Sequence, residues 1–210
     1  MTETAALACA KEVGAVFSSS GLEPLEFVVA YYGLSVVEMP FGQRPVWLRH
    51  RDVPSALAGV LLKESIGEFR PRGDWILILN KSDTVGRKNY TIMHELYHLL
   101  TGQEAIDEEH DCTSHPERPP EVFAREVLMP EHRVRDVLCE AFLMEHGTSI
   151  NADSFGVDHH GLPVITISRA ALSYAVKALG VSWQAFKIRL TELAIQPESV
   201  TESLWADRGI

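Results

Sequence analysis

The chain is poor in cysteine, in positive charge and in long apolar runs. Its three cysteines, Cys9, Cys112 and Cys139, are odd in number and far apart, which excludes a disulfide framework and a CxxC zinc knuckle. Nineteen Lys+Arg stand against 29 Asp+Glu, so the formal charge is -10 and the field of the whole molecule repels phosphate. That excludes a main role in non-specific binding of nucleic acid or anionic membranes. No run approaches the roughly 18 apolar residues of a membrane span. The opening MTETAALACAKEVGAVF has acids where a signal peptide has bases, and Lys11 and Glu12 break its apolar run. A reduced, cytoplasmic protein is the expectation. No segment repeats internally.

What is present fits one good core, or one core with a small module added. The 210 residues are 46% apolar and 23% charged, ordinary values for a globular protein and too short a chain for three domains. Nine histidines are more than such a chain needs.

Apolar positions at helical spacing predict helices over 3–17 and 24–32, the second opened by Pro24 and closed by Gly33. LSVVEM (34–39) reads as a strand, and VWLRH in the proline-rich loop 40–54 as a short one. ALAGVLL (56–62) is too short to assign. WILILN (75–80) is a buried strand after the turn Pro71-Arg72-Gly73-Asp74. A helix follows over 89–100, then an acidic, proline-rich loop over 103–120. Further helices are predicted over 121–129 and 133–146, a strand at VITIS (164–168), and a helical pair over 169–179 and 183–195.

The 89–100 helix contains His94-Glu95-Leu96-Tyr97-His98, an HExxH sequence. Histidines four apart stand one turn apart on one helix face, so both imidazoles reach a single metal ion. The glutamate beside them can take a proton from a metal-bound water. Thr91, Ile92, Met93, Leu96, Leu99 and Leu100 carry no charge, so the rest of the helix is apolar and buried. Two histidines and a carboxylate in such a helix must be paired or ligated.

A catalytic zinc needs a third protein ligand and an open position. Among the acids downstream, Glu117 and Glu121 are four apart at the start of the next helix and project to one side. One could hold the ion while the other orients a ligating histidine. Acids are also favoured near a helix N-terminus by its dipole alone.

Residues 87–100, ArgLysAsnTyrThrIleMetHisGluLeuTyrHisLeuLeu, after the strand WILILN, resemble the zinc helix of the ImmA/IrrE metallopeptidase family. PheAlaArgGluValLeuMetPro (123–130) is similar to the family's FAxxLLMP segment, and GlyValSerTrpGlnAlaPheLysIleArgLeuThrGluLeu (180–193) to its helix-turn-helix-like GVSxxAxxxRLxxL segment. GlyLeuSerValValGlu (33–38) fits its first strand. The blocks keep the family's order over roughly residues 24–195. The resemblance implies that His94 and His98 hold the metal, that Glu95 is the general base, and that Glu117 is the metal carboxylate, with Glu121 at the Asn or Asp position that follows. Pro119 and Pro120 depart from the family's pattern and predict a later helix start. Glu117 and Glu121 therefore both stay open as the metal acid, with Glu117 preferred.

His110, Cys112 and His115 fit no common zinc spacing. His110, His115, Tyr90, Tyr97, His159 and His160 are equal candidates to bind an oxyanion, and His159-His160 reads better as an exposed turn. The 169–195 pair has only Lys177, Lys187 and Arg189 for a DNA-reading face, so packing or a protein contact is preferred and no DNA-binding residue is assigned.

The expected fold is α+β: a small early sheet with a zincin-like HExxH helix, then a mostly helical C-terminal part with a helix-turn-helix-like pair. Residues 1–146 form the expected metallopeptidase domain and residues 147–210 a helical region packed on it. The expected cofactor is Zn2+. The resemblance implies cleavage of a basic helix-turn-helix repressor acting in trans. The competing reading is a non-catalytic regulatory module with a structural or vestigial metal site that sequesters a repressor or toxin. A DNA-binding regulator using the tail comes third.

Overall fold

Helix α1 (Glu3–Ser20) starts where Thr2 accepts the Ala5 N–H on its hydroxyl at 3.3 Å, an N-cap. It runs past the predicted end because Ser19 and Ser20 donate back to the carbonyls of Val16 and Phe17, at 2.9 and 2.7 Å. Helix α2 (Pro24–Tyr32) matches its predicted span and opens on a capping box between Glu23 and Glu26. The structure, a computed structural model, describes residues 2–40, 59–62, 75–102, 118–147, 155–157, 163–165 and 168–195. The strand expected at VWLRH lies outside them.

Strands β1 (Ser35–Met39), β2 (Gly59–Leu62) and β3 (Ile76–Asn80) form one sheet in the order β1-β3-β2. β1 runs parallel to β3, with Ser35 opposite Ile76, and β2 runs antiparallel, with Gly59 opposite Leu79. The central place of β3 explains its uninterrupted apolar run, since Ile76 to Leu79 are buried on both faces. The ambiguous 56–62 run is strand over its described residues, 59–62.

The chain divides into two compact units, Met1–Leu128 and Met129–Ile210. In the first, helix α3 (Val85–Thr101) packs on β2 and β3, and helix α4 (Arg118–Leu128) packs on both α1 and α3. Gly59 lets β2 come close to α3: a Cβ there would collide with Thr91 Cγ2 and stand 3.2 Å from the Ile78 carbonyl. Helix α4 begins three residues before the predicted 121, so the end of the expected 103–120 loop is helical. Pro119 and Pro120 sit in its first turn, where amide hydrogens have no partner within the helix and their loss costs little.

The second unit holds α5 (Glu131–His146), the antiparallel strands β4 (Phe155–Val157) and β5 (Pro163–Ile165), α6 (Arg169–Ala178) and α7 (Trp183–Glu192). α5 starts two residues before the predicted 133, directly after Pro130. The strand expected over 164–168 is described over 163–165 instead, and Ser168 is the N-cap of α6, its hydroxyl accepting the Ala171 N–H at 3.2 Å. β4 carries no sequence signal beyond three residues, too few for a period. α6 and α7 flank the Gly180-Val181-Ser182 turn, and Ser182 caps α7. The described fold is α+β: seven helices with two small sheets. Among the described residues no single helix is long and apolar enough to cross a membrane.

Arg189 of α7 is 8% exposed, and its Nε donates to the Met129 carbonyl at 2.8 Å. Pro130 follows that carbonyl. Replacing Arg189 by Met would strand a buried acceptor. The expected loss is about 2 kcal/mol, or a fall in Tm of about 4–8 °C for a chain of this size. Urea unfolding and calorimetry measure it; a loss under about 0.5 kcal/mol would mean the bond is not structural.

Candidate metal centre

α3 starts at Val85, a turn earlier than its apolar pattern predicts, because Thr84 accepts the Arg87 N–H at 3.3 Å and its polar first turn hides the start. Lys88, in that turn, donates to Glu38 of β1 at 2.8 Å and ties the helix to the sheet. Gly102 ends the helix with φ 66, a left-handed conformation that side chains rarely adopt. Between these ends the helix is buried from Thr91 to Met93 and from Glu95 to His98.

His94 and His98 face each other, with Nε2 to Nε2 at 3.3 Å. Two imidazoles at that distance share either a proton or a cation. Two zinc–nitrogen bonds of about 2.0–2.1 Å at a tetrahedral angle span about 3.3–3.4 Å. The separation therefore fits a zinc held by both Nε2 atoms, and the nitrogen donors suit that ion. His98 and Glu95 are each 6% exposed. A carboxylate so deep is withdrawn from bulk water, and in sequence it lies between the two histidines.

Glu121 lies in the first turn of α4, and its carboxylate meets Arg125 Nη1 at 3.5 Å. Tyr90, one turn before His94, donates its hydroxyl to the Glu121 carbonyl at 3.3 Å. Arg125 Nη1 also stands 3.4 Å from that hydroxyl. The structure thus brings Tyr90, Glu121 and Arg125 together beside the histidine helix. Among the described residues no three His, Cys, Asp or Glu side chains form a group that could hold a metal. Glu117, His110, Cys112, His115, His159 and His160 lie outside the described residues.

Tyr97 points elsewhere. Its ring packs on Phe123 at 5.4 Å between centroids, and its buried hydroxyl has no hydrogen-bond partner among the described residues. Burial, and then the Cys9 thiol, raises its pKa above the usual 10, so the phenol stays protonated at neutral pH. Burial also raises the Cys9 thiol, with Glu12 adding to the effect. Sequence reading passes over Arg125, although it lies inside the quoted 123–130 block. Its spacing of four from Glu121 is the signal that could have exposed it.

A family model, Peptidase_M78, described as an IrrE N-terminal-like domain, matches residues 29–191, well over half of the chain. No curated protein is similar enough to the chain to count as a match.

Proposed function

This chain belongs to the Peptidase_M78 family of IrrE N-terminal-like domains, and from that premise we propose that it is a zinc-dependent metallopeptidase. The observation that carries the reading is the pair of Nε2 atoms 3.3 Å apart, with buried Glu95 between the two histidines in sequence. His94 and His98 would hold the ion with Glu117, while Glu121 acts from behind the ligands. A bound zinc would lower the pKa of a water at its open position toward neutrality and would polarise the carbonyl under attack. Glu95 takes the proton from the attacking water and gives it to the leaving amine as the peptide bond breaks. Its burial keeps competing water from the carboxylate. The largely buried helix keeps the two Nε2 atoms 3.3 Å apart, so holding one ion would need little reorganisation.

The substrate we propose is a basic helix-turn-helix repressor acting in trans in the cytoplasm. The net charge of -10 supports a basic partner, because opposite fields speed encounter. The test incubates the purified protein with such a repressor. Limited cleavage should stop on chelation and return with added zinc. Cleavage that ignores the chelator, or none by zinc-loaded protein, would overturn the proposal.

A further inference from the structure

We propose that Arg125 is a positioning residue for the histidine pair, acting through Tyr90 and Glu121. The inference rests on the metal-centre reading above and adds to it. Arg125 is 7% exposed in the packed face of α4. If that position served packing alone, an apolar side chain would fill it without taking a cation out of water. A Glu–Arg pair four apart adds little on a solvated helix face. Here it closes on a third group from another helix. Arg125 Nη1 reaches Tyr90 Oη at 3.4 Å and Glu121 Oε2 at 3.5 Å, and the Tyr90 hydroxyl donates to the Glu121 carbonyl at 3.3 Å. These contacts are long, so the set acts together and not through one strong bond.

The placement gives the set its purpose. Tyr90 precedes His94 by one turn on α3, and Glu121 is in the first turn of α4. The tie therefore fixes the start of α4 against the histidine helix at a point one turn from the pair. It also gives the Glu121 carboxylate a cationic partner, Arg125, at 3.5 Å. Groups behind metal ligands typically change metal affinity about 10–100-fold when lost. Arg125 touches neither the ion nor the substrate in this scheme; it acts through Tyr90 and Glu121.

The test uses the full chain and measures zinc affinity by competition with a chromogenic chelator, alongside thermal melting. Arg125→Met should fold and bind zinc about 10–100-fold more weakly. Tyr90→Phe, which removes one oxygen and keeps the ring, should shift affinity the same way by less. The double variant should be no worse than Arg125→Met by more than about two-fold, because neighbours in one network are not additive. A purely structural role would lower the melting temperature and leave the zinc affinity of the folded protein unchanged. The proposal falls if Arg125→Met, or Tyr90→Phe should the first fail to fold, binds zinc within about two-fold of the parent, or if the two losses add. A parent that binds no zinc would sink the metal-centre reading and this inference with it. A zinc-binding parent with indifferent variants would sink this one alone.

Discussion

Glu95→Gln is expected to keep zinc and partner binding and to slow cleavage at least about 100-fold, the low end for loss of a positioned general base. The amide copies the carboxylate's shape but cannot take the water's proton. Position 95 is 6% exposed, so calorimetry of the variant is needed to separate lost chemistry from lost fold. Single-turnover cleavage of the repressor gives the rate. Retention of more than about a tenth of the parent rate would remove Glu95 from its role. Retention of the full biological effect without cleavage would favour the module that works by sequestering its partner.

His98→Ala should weaken zinc binding at least about 100-fold, since loss of a group merely supporting a ligand already costs up to that much. The second readout is melting. Zinc at 100 times its dissociation constant adds about 2.7 kcal/mol to a protein that binds it only when folded. For a chain of this size that is a rise of about 5–11 °C. The parent should show the rise and the variant should not. His98 is 6% exposed, so the variant also loses packing, and its zinc-free form should melt below the parent's. An equal zinc-dependent rise in both proteins would mean that the pair does not hold the ion.

The helix of the candidate site is legible in the sequence because two signals coincide there. The apolar positions around 91–100 have a helical period, and the two histidines share one face. Its true start is not legible, because Gly86, Arg87 and Lys88 mask a turn that Thr84 caps. β3 is legible as an unbroken apolar run, yet β2 is not, since four residues carry no period and depend on β3 for pairing. The start of α4 misleads for a specific reason. Prolines punctuate most helices, but in the first turn they continue one. The role of Arg125 is hidden more deeply. Its partner Tyr90 is 35 residues away, and only the packing of α3 on α4 brings the two together.

That proline turn changes how the helix begins. α4 opens Arg118-Pro119-Pro120, so the second and third positions of the helix carry no amide hydrogen. Those are the two donors that a side chain just ahead of a helix ordinarily captures. Glu117 is the residue just ahead in the chain. The first turn of this helix lacks the two amide hydrogens that an N-cap side chain would take, and its start rests on the fixed φ of the two prolines instead.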